Sequence, residues 1–122
     1  MDRVELEDAL EALRARGLQV RDVGLLDSAL ARPVASAFGL PAYGSLALAA
    51  AAQTESIVRN HPLFDGNKRT GLYLLAVFLR LNGLRLVAGN DELYEHIVAV
   101  ARGDVNLDQS ASFIADRVEP WR

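Results

Sequence analysis

The stretch HPLFDGNKRTGLYLLAVFLRLNG, residues 61–83, combines the most apolar helical pattern of the chain with a dense group of polar and charged residues. Apolar side chains cover most of the circumference of the helix predicted from residue 67 or 68 to 82: Leu72, Leu74, Leu75, Val77, Phe78, Leu79 and Leu81. A surface helix carries only one apolar stripe, so this pattern predicts a helix that its neighbours bury. Asn82-Gly83 ends it, because glycine tolerates the left-handed conformation that terminates many helices.

Helical patterns also occur on both sides of this segment. They predict helices over residues 2–16, 25–31 and 45–59, and two more over about 90–102 and 108–118, capped by Asn90 or Asp91 and by Asp108. Prolines and glycines make residues 34–44 a predicted loop, and LRLV, residues 84–87, predicts a very short strand. We therefore expect an all-α fold: a compact bundle of about six helices around the central motif-bearing helix, in a single domain over residues 1–122.

The composition excludes several classes of protein. With 51% hydrophobic and 24% charged residues, the chain is neither disordered nor collagen-like. It contains no cysteine, which rules out disulfides, thiolate zinc sites and a cysteine nucleophile. The N-terminus is charged and amphipathic, unlike a signal peptide, and the longest apolar runs are too short for a membrane span. We expect a soluble cytoplasmic protein without a membrane partner.

The net charge is −3, and the charged residues are unevenly distributed along the chain. Residues 59–85 hold five basic residues and one acid, whereas the rest of the chain holds eight basic and fifteen acidic residues. This asymmetry indicates one site for an anionic ligand, and it argues against direct DNA binding. Twelve of the thirteen basic residues are arginines. The single lysine, Lys68, therefore indicates a role for which a compact ammonium group is suited and a planar guanidinium is not.

The start of the apolar helix has the features of a phosphate site. Gly66 and Asn67 lie where backbone N–H groups lack helical acceptors, and glycine allows phosphate oxygens to approach the backbone. Lys68 and Arg69 add two cations at the same place. Two simpler interpretations remain open: Asn67 as an ordinary N-cap, and Arg69 as an ion-pair partner of Asp65.

Two further residues of this segment suit catalysis. Asp65 supplies a hard oxygen ligand of the kind that Mg²⁺ prefers when it bridges phosphates. His61 titrates near neutral pH and can act as a general base. A base, a metal ligand, free amides and cations together indicate phosphoryl or nucleotidyl transfer.

The motif HPLFDGNKR, residues 61–69, closely resembles the signature HxFx(D/E)(G/A)N(G/K)R of the Fic/Doc (Fido) superfamily. Lys68 after the asparagine, and Leu72 where other branches carry a further arginine, resemble the Doc branch. GLLDSALARP, residues 24–33, and FLRLNG, residues 78–83, extend the likeness over essentially the whole chain. One position departs from the pattern, because Leu63 stands where the family has phenylalanine and an aromatic follows at Phe64.

The resemblance implies a helical Fido fold and a toxin of a toxin–antitoxin pair. It implies an ATP- and Mg²⁺-dependent kinase that phosphorylates a threonine or serine hydroxyl of elongation factor Tu and blocks translation. His61 would be the base, Asp65 the Mg²⁺ ligand, and residues 66–69 (Gly66, Asn67, Lys68 and Arg69) the phosphate site. The self-inhibitory motif of other branches is absent from the sequence, so a separate Phd-type antitoxin is expected.

Two other functions remain open: a Fic-type adenylyltransferase and a catalytically inactive helical binding module. The resemblance favours the kinase because adenylylating members carry glycine at the position of Lys68, which leaves room there for the β- and γ-phosphates. Outside the motif, His96 is predicted to be a partly exposed structural histidine without a partner. Arg32 and Tyr43 are interpreted as solvated residues, with cleft lining as the alternative.

Overall fold

Helices account for most of the computed structural model, which describes residues 1–121. They are α1 (Leu6–Ala15), α2 (Val23–Ala31), α3 (Leu46–Asn60), α4 (Asn67–Leu81), α5 (Asn90–Arg102) and α6 (Leu107–Ala115), with a 3-10 turn at Arg32–Val34. Four short strands form two antiparallel pairs, β1 (Ser36–Ala37) with β2 (Leu40–Pro41) and β3 (Leu84–Leu86) with β4 (Val118–Pro120). The expected fold of about six helices is confirmed; the predicted domain ends at Arg122, outside the described residues. Across residues 1–121, every helix falls short of the length and apolar character needed to cross a bilayer.

The centre of the bundle is α3, on which α2, α4, α5, α6 and the 3-10 turn all pack. Its alanine run, residues 49–52, is fully buried, and such small side chains let several neighbours approach closely. The motif-bearing helix α4 packs against α3, α5 and β3, and leaves Ala76 and Arg80 exposed. The motif-bearing helix α4 is thus packed within the bundle as expected, and α3 beside it contacts more of the other helices.

Polar side chains cap the N-termini of three of the helices. Asp22 accepts from the Leu25 N–H at 3.0 Å to cap α2, and Ser45 caps α3. Asn106 and Gln109 form a reciprocal capping box at α6. The predicted caps of the last two helices are wrong, because α5 follows Gly89 without a side-chain cap and α6 is capped by Asn106. Each of these predictions errs by one or two residues, the usual uncertainty of helix ends.

The two strand pairs differ from the sequence-based expectations. The predicted loop over residues 34–44 contains the β1–β2 hairpin, whose turn residues Phe38 and Gly39 both have positive φ, as a type I′ turn requires. The short strand predicted at residues 84–87 is present as β3. Its partner β4 includes Val118, which the sequence pattern had assigned to the last helix.

Candidate active site

The motif lies in the turn between α3 and α4. His61 closes α3 in a left-handed conformation (φ 54°, ψ 61°), and its N–H donates to the Ile57 carbonyl at 3.3 Å. Positive φ is uncommon outside glycine, although histidine is one of the residues that adopt it more often. Pro62 follows directly and prevents the helix from continuing. The turn leaves the His61 side chain exposed rather than packed into the core.

Asn67 holds this turn together from inside. Its side-chain Oδ1 accepts from the Leu63 N–H at 2.9 Å, and its Nδ2 donates to the Leu63 carbonyl at 3.0 Å. The residue that caps α4 is Gly66, with φ 78°, so the interpretation of Asn67 as an N-cap is wrong. Both ends of the Asn67 amide are engaged in the loop, and its backbone N–H, which has no helical acceptor, is available to an anion.

Leu63 takes the anchoring position at which the related sequences carry phenylalanine. It is only 1% exposed and forms an isolated antiparallel bridge with Val20. The smaller aliphatic side chain therefore still anchors the loop in the core. The neighbouring aromatic, Phe64, is 67% exposed and faces the cleft.

The N-terminus of α4 has the free backbone amides on which the predicted anion site depends. The first helical hydrogen bond runs from the Thr70 N–H to the Gly66 carbonyl at 2.9 Å, which leaves the N–H groups of residues 67–69 without helical acceptors. Lys68 and Arg69 are exposed, and within residues 1–121 neither forms an ion pair. The alternative pairing of Arg69 with Asp65 is therefore not observed. Free amides, the helix dipole and two free cations favour a multiply charged anion.

The other cations of the basic segment have structural partners. Arg59 pairs with Glu55 and donates to the Val100 carbonyl at 2.8 Å, Arg80 stacks on Trp121, and Arg85 pairs with Glu119. Only Lys68 and Arg69 thus line the cleft. Of the five cations in residues 59–85, two therefore contribute positive charge to the cleft, and the other three have structural roles.

A cleft of about 550 Å³ brings all six predicted site residues together. Its lining is His61, Asp65, Gly66, Asn67, Lys68 and Arg69, with the apolar residues Phe64, Leu72, Tyr94 and Ile97. The cleft lining therefore combines cationic and apolar side chains. Tyr94 and Ile97 come from α5 and escaped the sequence-based prediction. Their spacing of three residues puts them on one helix face, but nothing in the local sequence points that face towards the motif.

Among residues 1–121, Asp65 is the only carboxylate in the cleft lining. Its Oδ1 accepts from the Gly66 N–H at 2.8 Å. No group of three potential metal-ligating side chains occurs within the described residues 1–121. A single carboxylate beside a phosphate site nevertheless fits Mg²⁺, which binds through one or two carboxylates and takes its other ligands from phosphates and water.

His96 lies outside the cleft and differs from its prediction. It is structural, as expected, but it is only 8% exposed, bonds to the Ser110 hydroxyl at 3.0 Å and stacks on Phe113 at 3.8 Å. Burial lowers the pKa of the His96 imidazole below its ordinary value, and the positive charge of Arg117 lowers it further. The prediction of a partly exposed histidine without a partner is therefore wrong, since its partners lie on α6.

Arg32 and Tyr43 are absent from the cleft lining as well. The Arg32 guanidinium donates to the Tyr43 hydroxyl at 2.6 Å, to Ser56 Oγ at 2.9 Å and to Glu55 Oε1 at 3.1 Å. These bonds tie the 3-10 turn and the hairpin to α3. The interpretation of Arg32 as solvated is corrected to a structural role.

The sequence of this chain is similar to those of known proteins, and the matched region includes the motif that lines the cleft. The model of the Fic/DOC family matches residues 4–79, which is more than half of the chain and includes the whole motif. The chain belongs to the Fic/DOC family. Within that family it is similar to toxin Doc of Mycolicibacterium smegmatis, with 42% identity over 117 residues that cover 94% of this chain and 90% of the relative. That similarity assigns it to the Doc branch.

Proposed function

We propose that this protein is a toxin of the Doc type that transfers the γ-phosphoryl group of ATP to a serine or threonine hydroxyl of elongation factor Tu. The observation that carries the proposal is the shared cleft, in which His61 lies beside the cationic N-terminus of α4. Similarity to a toxin Doc over most of both chains supports the biological role. Elongation factor Tu is a cytoplasmic target, so the proposal includes action in the cytoplasm.

Each group of the cleft has a task in this reaction. The N–H groups of residues 67–69, with Lys68 and Arg69, bind and orient the phosphates. His61 receives the proton of the target hydroxyl while the hydroxyl oxygen bonds to the γ-phosphorus, the bond from that phosphorus to the bridging oxygen breaks, and ADP leaves. Asp65 would hold Mg²⁺, which when bound would supply positive charge to the phosphate oxygens. The aromatic side chains of Phe64 and Tyr94 in the cleft lining offer flat surfaces to the nucleobase.

Lys68 supports phosphoryl transfer over adenylyl transfer. It is exposed, free of ion pairs within residues 1–121, and part of the cleft wall. An ammonium group at this position occupies space that a glycine would leave open to the β- and γ-phosphates, and it favours the opposite orientation of ATP, with the γ-phosphate near His61.

Two parallel reactions with elongation factor Tu test the proposal, one with ATP labelled at the γ-phosphorus and one with ATP labelled at the α-phosphorus. We expect label in the protein from γ-labelled ATP only. Label from α-labelled ATP alone would establish adenylyl transfer, and label from neither would favour a binding module. Lys68→Gly should weaken phosphorylation, because it removes the cation and reopens the competing orientation.

His61→Ala provides the matched inactive variant. The His61 side chain is exposed and has no hydrogen-bond partner within residues 1–121, so its removal should leave the fold intact. Loss of general base catalysis lowers the rate by about 10²–10⁴-fold. We expect this variant to have an unchanged thermal midpoint and no growth arrest in cells that lack the antitoxin. A folded variant as toxic as the parent would contradict the assignment of His61.

The proposal includes a Phd-type antitoxin as partner. Phe64 and Tyr94 are large, exposed side chains at the cleft, suited to an apolar face of a partner helix. A peptide that binds only the folded toxin should raise its thermal midpoint. If the C-terminal segment of the antitoxin has no such effect, the partner binds elsewhere or is of another type.

A further inference from the structure

The segment of residues 18–22, which joins α1 to α2, lies along the motif loop. The Phe64 N–H donates to the Gln19 carbonyl at 3.1 Å, and the N–H groups of Arg21 and Asp22 donate to the Pro62 carbonyl at 2.7 and 3.0 Å. A β-carbon added at Gly66 would lie 2.8 Å from Cδ2 of Leu18, so the same segment also packs closely on the start of α4. The catalytic loop therefore rests on a segment some forty residues earlier in the chain.

Arg21 makes the closest contacts of this segment with the turn at His61. Its Nε donates to the His61 carbonyl at 3.0 Å and its Nη2 donates to the same oxygen at 2.6 Å. Nη2 also reaches the Asn60 carbonyl at 3.3 Å. The last carbonyls of a helix lack helical donors, and here one guanidinium satisfies two of them at the point where α3 ends.

These bonds bear directly on the direction of the His61 side chain. A left-handed residue other than glycine is held in place by its surroundings, since isolated residues prefer other conformations by about 1–2 kcal/mol. Arg21 binds the carbonyl of the left-handed residue itself. A planar guanidinium with two donors on one oxygen restricts that peptide group in a way that a single lysine donor does not.

We infer that Arg21 is a positioning residue: by fixing the backbone at His61 it aims the imidazole into the cleft. The inference rests on the proposed function for its kinetic assay only. Arg21 does not line the cleft, so its effect on catalysis passes through His61. Because Arg21 is exposed, its replacement removes these bonds without leaving a cavity in the core.

The test compares Arg21→Ala and Arg21→Lys with the control Arg14→Ala. Arg14 is an exposed arginine near the end of α1 whose side chain has no partner within residues 1–121. Misplacement of a reacting group by about 1 Å can cost about 10²-fold in rate. We expect Arg21→Ala to lower kcat at least about tenfold, with Arg21→Lys in between. KM for ATP should stay within about twofold, since the phosphates meet α4 and not Arg21.

Two readouts separate positioning from a general loss of stability. Added guanidinium ion, at concentrations too low to denature, should restore part of the activity of Arg21→Ala and none of that of His61→Ala. The backbone NMR resonances of His61 should move or broaden in Arg21→Ala, while those of Gly103, the left-handed residue that ends α5, stay unchanged. Unchanged kcat and His61 resonances in Arg21→Ala would overturn the inference, as would a fall in thermal midpoint that accounts for the whole loss of activity.

Failure of the proposed kinase function can be distinguished from failure of the Arg21 inference. If the wild-type protein transfers no γ-phosphate, the kinase proposal fails. The Arg21 inference is then decided by the His61 resonances and by growth arrest, neither of which depends on which phosphorus is transferred. Growth arrest in Arg21→Ala as strong as in the wild type, together with unchanged His61 resonances, would refute it.

Discussion

Replacement of Asn67 by alanine tests how the motif loop is held. The change removes two hydrogen bonds, at 2.9 and 3.0 Å, to the backbone N–H and carbonyl of Leu63, a residue only 1% exposed. Each buried polar group left without a partner costs about 1–3 kcal/mol, so two such groups imply a loss of about 2–6 kcal/mol in the free energy of unfolding. The loop should also lose its shape, and activity should fall with it.

This loss can be measured as a shift in the thermal midpoint. An unfolding entropy of about 2.1 cal/mol/K per residue implies about 4 °C per kcal/mol for a chain of 122 residues, hence a drop of about 8–24 °C. Calorimetry or circular dichroism of Asn67→Ala against the wild type provides the measurement. Asn90→Ala is the control, because Asn90 is exposed at the start of α5 and its side chain has no partner within residues 1–121.

Asn67→Asp refines the same test. The carboxylate can still accept from the Leu63 N–H but cannot donate to the Leu63 carbonyl, so its midpoint should fall between those of Asn67→Ala and the wild type. A shift of less than about 2 °C in Asn67→Ala, below about 0.5 kcal/mol on the same scale, would refute the reasoning. If activity disappeared without that loss of stability, the Asn67 side chain would act on the ligand and not on the loop.

Three other predictions concern separate parts of the molecule. Burial lowers the pKa of His96 in the folded protein, so the unfolded chain binds a proton at this residue more readily. The free energy of unfolding should therefore fall as the pH drops through 6.5. Thermal scans of His96→Gln at several pH values should lack this dependence. Gly71→Ala should cost about 1–3 kcal/mol in chemical denaturation, because its β-carbon would lie 2.6 Å from Cγ1 of Val58, whereas Gly44→Ala, with no atom within 4 Å, should be nearly neutral. Tyr94→Ala should raise KM for ATP by about tenfold through lost stacking on the base and Tyr94→Phe should not; equal KM values in steady-state assays would place the base elsewhere.

Much of the site is determined by residues close together in the sequence. A histidine followed by proline ends one helix, and a glycine six residues into the motif starts the next, so His61 and the N-terminus of α4 face each other across a short turn. Helical periodicity and turn chemistry act over a few residues, which is why the six helices and the grouping of the six motif residues in one cleft could be predicted. The same locality makes the motif recognisable as a signature.

The tertiary structure alone decided which distant groups meet the motif. Tyr94 lines the cleft from α5, Arg21 reaches the carbonyl of His61 across forty residues, and His96 finds its partners on α6. The sequence also did not show which of the five cations of residues 59–85 have structural partners. Three of them are bound by acidic, aromatic or carbonyl groups elsewhere in the chain. Such contacts depend on how the helices pack around α3. Packing angles and helix rotations arise from the whole core at once, and no local pattern of residues specifies them.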